Sequence, residues 1–343
     1  MAEKVLHIIG RSSYDGTCTY ALRMASALGQ YDCELLFKTK GKAFDEIKKT
    51  GLRIYHLSDG DKDKSFSGIL LSVITFFLRR RYDKIHYHSG GSLLLLIAWL
   101  FRRGARVIHH IHCGNLDCSK DGEKISLLNK AIYKILNNRT FKITAADHIA
   151  QNYRANIGKS YKLSTIKNTV PFDFKRKSSL KKKIGYIGQI SKDKGFDHIL
   201  SIFKNSEYTL VVKGDNYYNI NFSDYYGNVH FIEPTLRLDE FFEQIDLLLF
   251  PSQAAFEGMP LVVLEAMAFD VGVIAQRTKA VGEILGDYPL YAGTFTKEDV
   301  IRKLSEFYSE GYSRVLLSEM HSEICKKHSF DEMIKKITSV YQR

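Results

Sequence analysis

Leu247-Leu-Leu-Phe250, Pro251-Ser-Gln-Ala-Ala-Phe-Glu257-Gly258-Met259 and Pro260-Leu-Val-Val-Leu-Glu265-Ala-Met-Ala268 follow one another without a break. The order reads as buried strand, loop and helix. A short apolar run bounded by a proline fits a strand of a parallel sheet. Pro260 suits the first helical position, where its missing N–H costs nothing. The amides of Leu261 and Val262 are then free at a helix start, where the dipole favours an anion such as a diphosphate. Gly258 lets the backbone approach a ligand without a Cβ in the way. Glu257 lies just before the helix, and Glu265 lies five residues after Pro260, about 7.5 Å along the axis, with a side chain tilted back toward the start. Both carboxylates can reach one elongated ligand and accept from sugar hydroxyls. Acids are common at helix starts, so an ordinary exposed helix is the competing reading.

Working outward, strands and helices alternate. Val5–Ile9, Glu34–Phe37, Ile54–Leu57, Lys84–Tyr87 and Arg106–Ile111 read as strands, and Tyr20–Leu28, Ile69–Leu78 and Leu93–Phe101 as helices. After residue 170 the pattern restarts: Ile184–Ile187, Thr209–Lys213, Val229–Phe231, Leu247–Phe250 and Val271–Ala275 as strands, Gly195–Phe203 and Pro260–Phe269 as helices. Alternation of this kind predicts an α/β chain of two Rossmann-like, doubly wound parallel-sheet domains facing a cleft. The first spans 1–170 and the second 184–330. The charged run through Lys175–Lys183 makes 171–183 the expected linker. Ligands of such sheets sit beyond the carboxyl ends of the strands.

The chain has 343 residues, enough for two domains, and its 45% hydrophobic and 26% charged content excludes disorder. Cysteines 18, 33, 113, 118 and 325 are few, scattered and odd in number, which argues against a disulfide framework and fits a reducing compartment. The start reads as a strand rather than a secretory signal. The longest apolar run, Leu93–Phe101, covers nine residues, and a spanning helix needs about 20. A cytoplasmic protein, at most peripheral on the inner face of a membrane, is the expectation. Residues 1–170 hold 28 Lys and Arg against 14 Asp and Glu, whereas residues 171–343 hold 22 against 24. The basic half is compatible with an anionic surface or with simple solubility.

Other loops carry weaker signals. Gly10–Thr17 follows the first strand but lacks both G-x-G-x-x-G and a phosphate-loop lysine, which argues against a dehydrogenase or an NTPase. His86, His88, His109, His110 and His112 are grouped, with Cys113 and Cys118 near; the residues alone leave open a zinc site, cleft and core histidines, or a catalytic histidine. Ile69–Leu78 and Leu93–Phe101 end in Arg79-Arg-Arg81 and Arg102-Arg103. That fits buried helices with cations at their C-termini or docking on an anionic membrane.

Glu257-Gly258 through Glu265-Ala266 resembles the E-G-x6-E-A hallmark of the retaining GT-B glycosyltransferases of family 4. Phe250-Pro251-Ser252, Val281-Gly282-Glu283 and Lys194-Gly195 resemble the same family. The likeness is strong over Gly185–Glu283 and looser before residue 170. It implies that Glu265 binds the nucleotide ribose, that Glu257 lies by the donor sugar and diphosphate, and that Met259, Pro260, Leu261 and Val262, with Gly258, line the donor. Lys194 would grip the diphosphate. Gln189 stands where the family has arginine, which removes one charge-assisted contact. Gly16 and Thr17 would close over the donor phosphate. Ile111-His112-Cys113-Gly114 resembles the place of the functional histidine, so His112 is expected to act with Glu257, and His110 is the alternative on the same face. The helical tail, about 331–343, would cross back to the first domain.

The resemblance implies a hexosyltransferase that moves a sugar, most commonly from UDP, to an acceptor hydroxyl with retention and with no cofactor or metal. Surface polysaccharide or glycolipid synthesis is the expected setting. The implied partners are the nucleotide sugar, a glycan or lipid-linked acceptor and an anionic membrane, with no nucleic acid. The competing readings are a nucleotide-sugar epimerase of the same architecture, a metal hydrolase using the histidines, and a non-catalytic nucleotide-sugar-binding subunit.

Overall fold

The computed structural model describes residues 2–60, 66–113, 116, 125–191, 194–203, 206–216, 220–221, 227–252, 257–309 and 314–343. The chain forms two compact units, one of residues up to Asn168 together with Asp331–Arg343, the other Thr169–Phe330.

The first unit runs β1 (Lys4–Arg11), α1 (Gly16–Ala27), β2 (Asp32–Thr39), α2 (Phe44–Lys48), β3 (Arg53–His56), α3 (Phe66–Arg79), β4 (Lys84–Tyr87), α4 (Ser92–Leu100), β5 (Arg106–Ile111), α5 (Leu127–Leu136), β6 (Phe141–Thr144), α6 (Asp147–Asn156) and β7 (Leu163–Thr165). Its seven strands lie in the order β3-β2-β1-β4-β5-β6-β7, and every pairing is parallel. Val5, Leu6, Ile8, Leu35, Leu36, Ile85 and Ile108 are sealed on this sheet, as a sheet covered on both faces requires. β6 and β7 were not foreseen. Lys142 interrupts the apolar run of β6, and its buried amine is spent on the end of α5, donating to Leu136 O at 2.8 Å and Thr140 O at 2.7 Å. β7 is only three residues long.

The second unit runs β8 (Lys183–Ile187), α7 (Phe196–Phe203), β9 (Thr209–Lys213), β10 (Val229–Ile232), α8 (Asp239–Phe242), β11 (Leu247–Phe250), α9 (Leu261–Ala268), β12 (Gly272–Ala275), α10 (Lys279–Leu285), α11 (Lys297–Tyr308) and α12 (Arg314–Lys327). Its five parallel strands take the order β10-β9-β8-β11-β12. β8 and β11 lie side by side at the centre, so the loops after them share one end of the sheet.

The charged run before β8 is not a free linker. Lys175 N donates to Ala268 O at 2.8 Å, Lys177 N to Asp270 Oδ2 at 3.0 Å, and Lys181 N to Asp246 Oδ2 at 2.7 Å. Lys177 Nζ donates to Phe242 O at 3.2 Å, at the end of α8. The sequence shows only solvated lysines; what binds the segment is a pair of buried carboxylates, Asp246 and Asp270, supplied from far along the chain. Asp270 also accepts from Ser318 Oγ at 3.0 Å and pairs with His321 Nδ1 at 2.8 Å.

The C-terminal helix α13 (Phe330–Gln342) buries Met333, Ile337, Val340 and Tyr341, one stripe at helical spacing. Its residues from Asp331 onward belong to the first unit. Tyr341 OH meets His86 Nδ1 at 2.6 Å, and Arg106 donates to Tyr341 O at 2.9 Å. No helix among the described residues is long and apolar enough to cross a membrane.

Candidate functional site

On the second unit, β11 delivers Pro251 and Ser252 at its carboxyl end, and both are buried. Pro260 does not open α9 as the sequence predicts. It caps the helix in an extended conformation, φ −70° and ψ 98°, with no side-chain capping bond. The ring fixes φ alone, and this ψ turns the chain out of the helix. The helix therefore begins at Leu261, whose amide and that of Val262 belong to the first turn, where donors lack intrahelical acceptors. Gly258, Met259, Pro260 and Leu261 are buried and Val262 half-buried, so Met259 and Leu261 bring backbone rather than side chain to any ligand. Glu265 is only 4% exposed, a carboxylate sealed into an apolar helix four residues beyond Leu261.

The loop after β8 closes onto this segment. Lys194 Nζ donates to Glu257 Oε1, and Ser252 Oγ donates to the same oxygen at 2.8 Å. The local backbone explains the approach. Gly195 has φ +71°, and a Cβ there would stand 3.0 Å from Pro251 Cβ. Gly214 is tighter still, since a Cβ would meet Gly188 O at 1.7 Å. Only glycine allows the β8 and β9 loops to lie so close. Gln189 points its exposed side chain away from the core, while its carbonyl accepts from Tyr186 OH at 2.6 Å. Ser252 ends the family-like stretch Phe250-Pro251-Ser252, which the sequence alone does not mark as part of the site. Its bond to Glu257 shows its part.

On the first unit, Asp15 caps α1, accepting from Cys18 N at 2.9 Å. Gly16 is the exposed first residue of α1 and Thr17 is half-buried beside it. The grouped histidines form two hydrogen-bonded ribbons. In one, His7 Nδ1 meets His88 Nε2 at 3.1 Å, His88 Nδ1 meets His112 Nε2 at 3.0 Å, and His112 Nδ1 meets Asn168 Nδ2 at 2.9 Å. In the other, His110 Nδ1 meets His86 Nε2 at 3.2 Å, and His86 meets Tyr341 OH. Rings joined edge to edge are nearly coplanar, at 19° for both His7–His88 and His88–His112. Between ribbons the rings stack face to face, with centroids 4.4 Å apart for His86–His88 and 4.1 Å for His110–His112. Alternation explains the columns, since residues two apart on a strand share a face. His109 faces the other way, onto Tyr87 and Tyr133.

Burial pushes the His7, His109 and His112 imidazoles down to about 3 and holds those of His86, His88 and His110 well below the usual range, with neighbouring imidazoles adding to the last three. The rings are therefore neutral. His7, His86 and His88, and likewise His88, His110 and His112, bring nitrogens within 4.8 Å of one another. A metal ion must lie in the plane of each ligating ring, and face-stacked rings share no such point. A 3.0 Å gap between coplanar edges is also too narrow for two Zn–N bonds of about 2.0 Å in line. Held this way, the rings bond one another.

Residues 171–323 match the family of "Glycosyl transferases group 1". The chain is 28% identical over 258 residues to an uncharacterized 41.2 kDa protein in the cps region of Klebsiella pneumoniae, covering 66% of this chain and 69% of that protein. It is 28% identical over 166 residues to an uncharacterized glycosyltransferase of Methanocaldococcus jannaschii, covering 46% and 47% of the two. Among solved structures, Anabaena HepE in complex with UDP and glucose superposes with a TM-score of 0.79, covering 99% of both chains at 14% identity, a likeness of fold. This chain is a glycosyltransferase of the GT-B fold.

In this glycosyltransferase the predicted donor residues Lys194, Gly258, Met259, Pro260, Leu261, Val262 and Glu265 gather with Glu257 at the ends of β8 and β11. Gln189 is in the same loop as Lys194. Gly16, Thr17 and His112 lie in the other unit. Gly114, Cys118 and the loop residues 253–256 fall outside the described residues. Cys113 is disulfide-bonded, against the expectation of reduced thiols throughout; Cys18, Cys33 and Cys325 are free. Pairing depends on local approach, which a count of cysteines does not register. Sequence reasoning missed His7 and Asn168. A histidine in the middle of the apolar run Val5–Ile9 was the available signal, since a buried imidazole needs partners.

Proposed function

We propose that the chain is a retaining, family 4 hexosyltransferase that moves a sugar from a UDP-sugar to an acceptor hydroxyl in surface polysaccharide or glycolipid synthesis. The observation that carries this reading is Lys194 paired with Glu257 beside the first turn of α9, with Glu265 buried behind it. Cation, free amides and two carboxylates in one place suit an ion with a diphosphate at its centre and hydroxyls at both ends. UDP and glucose in HepE, and the capsule-region relative, support the donor class and the setting.

In this reading Glu265 accepts from the ribose hydroxyls and Glu257 from the sugar. As the anomeric C–O bond lengthens, charge builds on the departing diphosphate. Lys194 and the amides of Leu261 and Val262 stabilise it there, so the proposed mechanism uses no divalent metal or other cofactor. His112 serves the sugar end, and Gly16 and Thr17 the phosphates. A thermal-shift screen across nucleotides and nucleotide sugars tests the donor assignment. UDP and at least one UDP-sugar should raise Tm, as ligand at 100 times its Kd adds about 3 kcal/mol. Glu265→Ala should abolish that rise, and turnover should persist in EDTA. A screen in which no nucleotide stabilises the protein would sink the reading.

A membrane-facing role for the first unit is part of the proposal. Leu71 and Leu78 of α3, Leu100 of α4, and Leu127, Leu128 and Ile135 of α5 are exposed, and α4 packs against both α3 and α5. Arg79–Arg81, Arg102 and Arg103 flank the same helices. Exposed apolar side chains rimmed by arginine fit an anionic lipid surface. Flotation should recover the protein with anionic vesicles, less at high salt, and not with neutral ones; equal recovery, or none, contradicts it.

A further inference from the structure

We infer that His88, backed by His7, is a positioning residue that fixes which nitrogen of His112 carries the proton. The inference rests on the proposal that His112 meets the donor sugar. A neutral imidazole has one donor and one acceptor nitrogen. Asn168 Nδ2 lies 2.9 Å from His112 Nδ1. An amide nitrogen only donates, so in this orientation of the amide, which leaves Asn168 Oδ1 buried without a partner, Nδ1 is the acceptor and the proton sits on His112 Nε2. That N–H points at His88 Nδ1, 3.0 Å away, which places the His88 proton on Nε2. His88 Nε2 in turn donates to His7 Nδ1 at 3.1 Å. The ribbon ends at His7 Nε2, a fully buried nitrogen with no partner.

Each ring's tautomer thus dictates the next. Moving the His112 proton to Nδ1 would require moving the protons of His88 and His7 as well, and turning the Asn168 amide. The register is collective, so His112 presents Nδ1 as a fixed acceptor. A sugar hydroxyl can take the place of the Asn168 amide there without any other proton moving. The ribbon is not a proton store. A proton entering at His112 Nδ1 and passed inward would end at the orphaned, buried end of His7 as an unpaired cation, and burying such a charge is costly. The same low-dielectric packing that forbids a charge makes the neutral chain of N–H···N bonds strong.

Nitrogen-15 NMR of histidine-labelled protein reads the tautomers directly. His112, His88 and His7 should all carry the proton on Nε2. A mixture of tautomers, or Nδ1–H at His112, would overturn the inference without touching the chain's folding. Kinetics give the second test. His88→Leu removes the acceptor for His112 Nε2–H and should lower kcat roughly tenfold, with KM for the donor little changed, the order expected when a buried N–H loses its acceptor. His88→Gln returns an acceptor oxygen and should recover most of the loss. If His88→Leu folds and keeps its kcat while His112→Ala does not, His112 acts without the ribbon and the inference fails. If His112→Ala is itself fully active, it is the role proposed for His112 that fails.

Discussion

Below about pH 6.5 the first unit should lose stability steeply and unfold ahead of the second. Six of its histidines, His7, His86, His88, His109, His110 and His112, have imidazoles held far below the unfolded value of 6.5, chiefly by burial. The unfolded chain therefore binds more protons than the folded one between 6.5 and about 3. Stability is fully present above 6.5 and is lost as pH falls through that window. Each such histidine contributes a slope of about 1 kcal/mol per pH unit. Acting together they would exhaust a typical stability of about 5–15 kcal/mol within one to two pH units. In the second unit His321 is also depressed, but the Asp270 carboxylate bonded to it opposes the shift. The protein carries one tryptophan, Trp99, in α4 of the first unit, so its fluorescence reports that unit alone. Urea melts followed at Trp99 should show a midpoint that is flat from pH 8 to 7 and falls sharply by pH 5. A midpoint unchanged down to pH 5 would show that the ribbons open and solvate their protons without unfolding.

Much of the architecture was legible because a parallel sheet buried on both faces writes itself as continuous apolar runs. Lys84–Tyr87, Arg106–Ile111, Thr209–Lys213 and Leu247–Phe250 occupy the residues the sequence predicts. What escaped depends on partners distant in sequence. The segment from Lys175 to Lys181 looks solvated until Asp246 and Asp270 are placed beneath it. β6 hides because Lys142 is read as a surface residue, whereas its amine closes the end of α5. The donor loop was legible as residue types at a spacing. That Lys194 would reach Glu257 depended on β8 and β11 being neighbours, and on glycines at 188, 195 and 214 letting the loops touch. The histidines were visible as a cluster. Their ordering into two ribbons was not, because pairing across β1, β4 and β5 requires the strand order that places His7 opposite His86.

Replacing Lys194 should damage the enzyme more than replacing its partner. Lys194 and Ser252 both bond one oxygen of the half-buried Glu257. A diphosphate arriving at the start of α9 competes with that carboxylate for the same ammonium. Lys194→Ala leaves the diphosphate beside an uncompensated Glu257, so binding and chemistry suffer together. UDP affinity should fall at least tenfold and turnover on the order of a hundredfold or more, the scale seen when one preorganised charge stabiliser is removed. Glu257→Gln keeps the Ser252 bond and frees Lys194 for the phosphates, so UDP should bind as well as before or better, with turnover reduced through the sugar. The double substitution separates the two effects. Lys194→Ala with Glu257→Gln should recover UDP affinity toward the unmodified protein, because the stranded charge is gone, while turnover stays low for want of a cation. Calorimetric titration with UDP and initial rates on the four proteins complete the cycle. Additive losses in UDP affinity would mean that the two side chains do not share the ligand. Turnover of Lys194→Ala within twofold of the unmodified protein would mean that the departing diphosphate is stabilised elsewhere. Among the described residues of this loop, where Gln189 is uncharged, Lys194 is the cation set beside Glu257, and the burden of the leaving group falls on it.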